Sequence, residues 1–192
     1  MNTIVFDVKP IAKLTDKDFA ALCQANPELK LEQTPTGEIK IVAPTGGETG
    51  IYNAGLIARF WIWNDQKRLG QVFDSSTCFN LPNGGKRSPD VSWISQTRWI
   101  ELSPEQRTKF PPIAPDFVLE LMSPTDRLVD VQAKMDEYMT AGVRLGWLLD
   151  RQNKRATIYR INQTVQILEV PDFLFGEAVL TDFKLDSRAL WM

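Results

Sequence analysis

Residues 117–126 read FVLELMSPTD, an apolar run that carries one carboxylate and ends at a Ser-Pro pair. The run from 117 to 122 has the length and composition of a short strand in the interior of a sheet. Glu120 lies in the middle of this run, where a lone carboxylate is costly to bury. We therefore expect the strand to hold Glu120 beside a charged partner or a metal ion.

A helix is expected directly after this strand. Ser123 is suited to be its N-cap and Pro124 its first residue, and Gly142 marks its end. Apolar residues recur at helical spacing and predict its buried stripe: Leu128, Val131, Met135, Tyr138 and Met139. Lys134 lies at the edge of that stripe, so its side chain can run along the core and place its amine at the rim of the sheet.

Strand and turn signals surround this strand–helix unit on both sides. Strands are predicted at residues 71–74, 77–81, 89–94, 147–150, 156–161 and 164–170, a hairpin at 29–42, and helices at 16–24, 51–64 and 103–109. The alternation predicts an α/β (α+β) fold, a mixed central sheet flanked by helices. The length of 192 residues predicts one domain over residues 1–192, with the N-terminal helix and hairpin (about residues 1–45) packed onto the core.

The composition excludes several classes of enzyme. The chain has no histidine and two cysteines, Cys23 and Cys78, without metal-ligand spacing. Histidine-dependent hydrolases and zinc sites are therefore excluded, and the chemistry must come from carboxylates, lysine, arginine, tyrosine or hydroxyl groups. A formal net charge of −2 predicts no strong non-specific attraction to nucleic acid. No targeting segment or membrane span is recognisable, and unpaired thiols favour a cytoplasmic protein.

Three charged residues are expected to converge at one edge of the predicted sheet. Asp90 opens the strand that precedes Glu120, and the helix after Glu120 carries Lys134 back across the sheet. Two carboxylates on adjacent strands offer hard oxygen ligands for Mg²⁺ or Mn²⁺. A nearby ammonium group can orient an attacking water and stabilise charge on a phosphate. The pattern favours phosphodiester hydrolysis that needs no histidine.

The same residues carry a resemblance to a known family. The matching stretches are RSPDVSW at 87–93, PDFVLELMSPTD at 115–126, KMDEY at 134–138 and AGVRLGWLLD at 141–150. With these flanks the chain resembles the PD-(D/E)XK endonuclease-like superfamily, and within it a bacterial family of restriction-endonuclease-like proteins of unknown cellular role. The likeness extends from about Leu29 over most of the chain, and the ordered series is more specific than any single Pro-Asp pair.

The resemblance implies a restriction-endonuclease-like fold and a metal-dependent endonuclease that hydrolyses DNA phosphodiester bonds. By resemblance, Asp90 and Glu120 bind Mg²⁺ or Mn²⁺, and Glu32 adds an acidic contact from the N-terminal element. The superfamily usually places a lysine two residues after the second acid, where this chain has Met122. The family resembled places its lysine on the next helix, which makes Lys134 the counterpart. DNA is the implied partner, and exposed apolar hairpin surface makes a homodimer reasonable.

Other functions remain open at this point. The fold can serve as a catalytically idle binding or assembly module, or as a phosphohydrolase that acts on nucleotides. Each site residue also has a purely structural interpretation: Asp90 bonded to backbone at a strand start, Glu120 paired with Arg127 or Arg144, Lys134 solvated beside Asp130, and Glu32 exposed on the hairpin.

Several further features favour structure over function. Asp116 and Asp172 also follow prolines, and we interpret Asp116 as a strand-entry residue and Asp172 as a loop residue. The Lys86-Arg87 pair is interpreted as a solvated hairpin tip, although it could touch a phosphate backbone. The Trp-Ile-Trp sequence at 61–63 predicts helix core or a dimer contact.

Overall fold

The computed structural model describes residues 4–7 and 14–192. The helices are α1 (Asp16–Ala25), α2 (Gly47–Lys67), α3 (Gln96–Glu101), α4 (Pro104–Thr108) and α5 (Leu128–Thr140), followed near the end of the chain by a 3-10 helix at Arg188–Leu190. The strands are β1 (Ile4–Phe6), β2 (Lys30–Gln33), β3 (Ile39–Val42), β4 (Gly70–Asp74), β5 (Phe79–Asn80), β6 (Lys86–Arg87), β7 (Val91–Ser95), β8 (Phe117–Leu121), β9 (Leu145–Asp150), β10 (Arg155–Arg160), β11 (Gln166–Glu169), β12 (Phe173–Phe175) and β13 (Lys184–Asp186).

The larger sheet has six strands in the order β11-β10-β9-β8-β7-β4. Strands β8 and β9 run parallel and every other neighbouring pair in this sheet is antiparallel, so the predicted mixed sheet is confirmed. A parallel pair needs a crossover connection, and α5 supplies it between β8 and β9. This crossover is what carries Lys134 back over the sheet.

The two faces of this sheet pack against different helices. Alternate residues of β8 point to opposite faces, and Phe117 and Leu119 lie in a buried cluster with Phe60 of α2. Val118 lies in a second cluster with Met135 of α5. Glu120 shares the face of Val118 by this alternation, so β8 presents its one carboxylate on the face that packs against α5.

A second, five-stranded sheet has the order β1-β3-β2-β6-β5. On one of its faces Leu31 and Ile39 pack with the buried Phe19 of α1. The opposite face carries Glu32 of β2 directly across from Lys40 of β3. Only three residues separate β6 in this sheet from β7 in the larger one. This short connection brings the two sheets together at residue 90.

The start of α5 differs from the sequence prediction. Ser123 is not the N-cap, because α5 begins at Leu128 after an extended Arg127. Residues 123–126 instead close a turn in which the Ser123 amide donates to the Asp126 carboxylate at 2.8 Å and the Asp126 amide donates to the Ser123 carbonyl at 3.1 Å. In a helix cap, as in this turn, a serine and an acid three residues later satisfy the backbone amides of both residues. The sequence pattern is therefore compatible with a turn as well as with a helix N-terminus.

Other element boundaries also shift. The helix α2 is longer than the predicted 51–64, since it begins at Gly47 and ends beside Arg68 in the left-handed region at φ 53°. Trp63 is buried in the core as predicted, whereas Trp61 is 57% exposed and is not core. Among the described residues, no helix has both the length and the apolar character needed to span a bilayer. The single-domain organisation stays a prediction.

Candidate active site

A pocket of about 550 Å³ lies between α5, the ends of β7 and β8, and the face of the second sheet that carries Glu32. All four residues singled out from the sequence line it: Glu32, Asp90, Glu120 and Lys134. Arg87 and Lys40 line it as well. The convergence expected from the sequence is therefore a property of the fold, while the catalytic roles of these residues stay predictions.

Asp90 is tied to the strand that carries Glu120. Its Oδ2 accepts a hydrogen bond of 2.8 Å from the backbone amide of Leu121. The structural interpretation of Asp90 as a residue bonded to backbone is thus confirmed, and it is compatible with a site role, because this bond fixes one oxygen beside Glu120. No hydrogen bond from a described residue reaches the other oxygen, Oδ1.

Lys134 lies between two buried carboxylates. Its Nζ is 2.8 Å from Oε1 of Glu120 and 3.1 Å from Oε1 of Glu32, and its side chain is 17% exposed. The interpretation of Lys134 as solvated beside Asp130 is therefore wrong. Burial lowers the pKa of Lys134, but the charges of Glu120 and Glu32 outweigh that effect and raise it well above its usual value. Lys134 is therefore an ammonium ion at neutral pH.

Glu120 accepts two contacts at the same oxygen. Its Oε1 accepts a hydrogen bond of 2.8 Å from the hydroxyl of Tyr138 in addition to the contact with Lys134. The predicted partners of Glu120 were wrong, since Arg127 pairs with Asp130 and Arg144 with Asp116. A long lysine from the covering helix reaches the middle of β8, where neither arginine lies. Oε2 accepts no hydrogen bond from the described part of the chain.

Burial sets the protonation of the two candidate ligands. It raises the pKa of Glu120 to about 7; Lys134 opposes the shift, and the nearby charges of Asp90 and Glu32 reinforce it. Burial also raises the pKa of Asp90, against the hydrogen bond from Leu121 and the charge of Lys134. Both shifts have the same main cause: removal from water disfavours the charged form of each carboxylate.

Glu32 is buried, and the expectation that it is exposed on the hairpin is wrong. Its Oε1 accepts from the Ser88 amide at 3.0 Å, and its Oε2 accepts from Nη1 of Arg87 at 2.9 Å. Burial alone would raise its pKa, but Lys134 and Arg87 outweigh it and lower the pKa to about 2. Both oxygens are thus already engaged, and Oε1 also contacts the ammonium group of Lys134.

Arg87 is the site residue that the sequence interpretation missed. It is 1% exposed rather than a solvated tip, and it joins Glu32 to Glu137 of α5 through contacts from Nε and Nη2 to Glu137. The planar guanidinium group suits such a buried double pairing. The spacing of Lys134, Glu137 and Tyr138 places all three on one face of a helix. This spacing is the sequence signal that Glu137, the partner of Arg87, lies on the same side of α5 as Lys134.

The two other Pro-Asp pairs lie outside the pocket. Asp116 is fully buried, accepts a hydrogen bond of 2.9 Å from the Ser95 amide and forms an ion pair of 2.9 Å with Arg98. It therefore fixes the entry to β8 against the end of β7, as the strand-entry interpretation predicts. Asp172 is exposed in the loop before β12.

The donor groups of the pocket fit a hard divalent cation. Among the described residues, no group of three or more acidic or thiol side chains is arranged to enclose a metal ion. Mg²⁺, however, is commonly bound by one or two carboxylates, with waters and substrate phosphates completing its shell. Oδ1 of Asp90 and Oε2 of Glu120 accept no hydrogen bond from a described residue and are available for that purpose.

A family model supports the same class of protein. The model of the Uma2 family, described as "Putative restriction endonuclease", matches residues 16–188. The match spans most of the chain, so the chain belongs to this family. The restriction-endonuclease-like family inferred from the residues around Asp90, Glu120 and Lys134 is thereby confirmed.

A solved structure supports the fold. The chain is similar to the crystal structure of "a putative nuclease" of the DUF820 family from Anabaena variabilis, with a TM-score of 0.70 and 20% sequence identity. The alignment covers 85% of this chain and 90% of that one. A search of curated proteins found no match. At this identity the likeness establishes the fold, a mixed sheet flanked by helices as in restriction endonucleases.

We predict that Arg87→Leu destabilises the protein by about 3–5 kcal/mol, because it leaves the buried Glu32 carboxylate with one partner fewer. The matched control is Arg155→Leu, which removes a half-exposed pair with Glu169 and should cost less than about 1 kcal/mol. Urea unfolding of both variants and the wild type measures the difference. Equal losses for the two variants would contradict the buried network.

We also predict that the free energy of unfolding falls as the pH rises from about 4.5 to about 7 in metal-free buffer containing EDTA. Over that window the folded state keeps a proton on Glu120 that the unfolded state releases, so a rising pH favours unfolding. Each pKa unit corresponds to about 1.4 kcal/mol. Denaturant titrations should show a flatter pH dependence for Glu120→Gln, and an unchanged slope in that variant would refute the raised pKa.

Proposed function

We propose that this protein is a metal-dependent endonuclease that hydrolyses phosphodiester bonds of DNA, with Asp90 and Glu120 as metal ligands and Lys134 as the catalytic cation. The observation that carries the proposal is the convergence of these three side chains on one pocket. Membership in a family described as restriction endonucleases supports the reaction class. The absence of histidine leaves a carboxylate and lysine mechanism as the available chemistry.

The oxygen atoms left open in the pocket support a divalent ion. Oδ1 of Asp90 and Oε2 of Glu120 accept no hydrogen bond from a described residue, whereas both oxygens of Glu32 are engaged. A bound Mg²⁺ or Mn²⁺ would place positive charge beside these carboxylates, polarise a phosphate oxygen and lower the pKa of a coordinated water.

The side chains of this protein have distinct tasks in the proposed reaction. Asp90 and Glu120 each keep one oxygen without a hydrogen bond from a described residue, and these two oxygens would hold the cation. The ammonium group of Lys134 orients the attacking water and stabilises the negative charge that develops on the phosphate. Because its pKa is raised, Lys134 acts as a cation and hydrogen-bond donor, and it is not the general base.

Positioning of Lys134 is the proposed task of the residues behind it. Glu32 contacts its ammonium group, and Arg87 fixes Glu32 from the buried side. The hydroxyl of Tyr138 holds the Glu120 oxygen that faces Lys134. A cation on a long flexible side chain loses catalytic effect when its position varies, so these contacts maintain the geometry needed for the reaction.

The proposal predicts that wild-type protein cleaves plasmid DNA with Mg²⁺ or Mn²⁺ and that EDTA abolishes cleavage. Asp90→Asn, Glu120→Gln and Lys134→Met should each lower the rate by at least about 100-fold, because each removes charge stabilisation from the transition state. Gel electrophoresis of the nicked and linear products measures the rates.

The matched control for these variants is Asp172→Asn, which alters a Pro-Asp pair outside the pocket and should keep full activity. Equal cleavage by all variants would assign the activity to another site or to a contaminant. Wild-type protein that binds DNA but never cleaves it would favour the alternative, an idle nuclease fold that serves as a binding module.

A further inference from the structure

The face of the second sheet that carries Glu32 also carries two lysines. Lys40 of β3 lies directly opposite Glu32, and Lys30 of β2 is two residues before it. Residues two apart on a strand, and residues directly opposite on neighbouring strands, point to the same face. Lys30, Glu32 and Lys40 therefore share one surface, and the other surface of this hairpin packs on α1 through Leu31 and Ile39.

This surface forms one wall of the pocket. Lys40 is among the lining residues, and both lysines are half-exposed. Lys30 is near enough to the carboxylates to lower the pKa of both Asp90 and Glu32 by its charge. In register, Lys30 and Lys40 are diagonal neighbours, a relation that places Cα atoms about 7–8 Å apart.

The two lysines lack the partners that other cations of the pocket have. Arg87 pairs with Glu32 and Glu137, Lys134 pairs with Glu32 and Glu120, and Arg127 pairs with Asp130. Neither Lys30 nor Lys40 forms an ion pair with any residue in the described ranges.

The missing partner of Lys40 has a specific cause. The carboxylate directly across from it belongs to Glu32, whose oxygens are already taken by Lys134, Arg87 and the Ser88 amide. The register would otherwise favour a cross-strand ion pair. Lys30 and Lys40 thus lie beside an acidic pocket, near enough for the charge of Lys30 to act on its carboxylates, but neither forms an ion pair with a described residue.

We infer that Lys30 and Lys40 bind the backbone phosphates of a nucleic acid strand on either side of the phosphate that enters the pocket. The identity of this ligand rests on the proposed nuclease function. A protein with net charge −2 gains no general attraction to DNA, so its affinity must come from local cations of this kind. These two lysines position the nucleic acid strand and take no part in bond cleavage.

Fluorescence anisotropy with a labelled DNA duplex in EDTA tests this inference without cleavage. Binding of wild type, Lys30→Gln and Lys40→Gln is measured over a range of salt concentrations. Each lysine that binds a phosphate adds about 0.9 to the slope of log K against log salt, so each variant should bind more weakly and with a slope smaller by about 0.9. Thermal melting of each variant verifies that it is folded.

The matched control is Lys154→Gln, an exposed lysine in the turn before β10. It should leave affinity and slope unchanged. If Lys30→Gln and Lys40→Gln show the same salt slope as the wild type, the inference is wrong. It is also wrong if these lysines are needed to bind a free nucleoside triphosphate but are not needed to bind the duplex. Cleavage with Mg²⁺ is assayed separately. Weaker DNA binding by the lysine variants, together with no cleavage by the wild type, refutes only the proposed reaction. Cleavage by the wild type, together with unchanged DNA binding by the lysine variants, refutes only this inference.

Discussion

The ammonium group of Lys134 is the contact on which this site depends. It joins Glu120 of the six-stranded sheet to Glu32 of the five-stranded sheet, so one cation contacts both sheets across the pocket. Buried carboxylates are tolerated only when they are paired and hydrogen-bonded. The pairing that makes the pocket stable therefore also fixes the cation that the proposed chemistry uses.

The carboxylates of the pocket differ in how fully their oxygens are engaged. Both oxygens of Glu32 have partners, and Lys134 and Arg87 lower its pKa to about 2. Asp90 and Glu120 each keep one oxygen without a hydrogen bond from a described residue, and burial raises the pKa of both. Perturbed carboxylates in a pocket are typical of functional sites. This difference is the physical reason to assign the cation to Asp90 and Glu120 and a positioning role to Glu32.

Much of this site could be predicted because it follows from local patterns. The apolar run around Glu120, the helix with Lys134 at the edge of its stripe and the parallel crossover together bring these residues to one end of the sheet. The role of Arg87 could not be read in the same way, since its contact with Glu32 spans 55 positions in the sequence. The start of α5 was misplaced because Ser123 and Asp126 satisfy the same backbone groups in a turn.

The most direct test of the central claim is a crystal structure of the wild-type protein soaked with Mn²⁺, with anomalous diffraction data. If Asp90 and Glu120 bind the metal, an anomalous peak will lie within coordination distance of Oδ1 of Asp90 and Oε2 of Glu120, with Lys134 still in contact with Glu32. A pocket without anomalous density at saturating Mn²⁺, or a peak bound by other side chains, would contradict the assignment of these two carboxylates as the metal ligands.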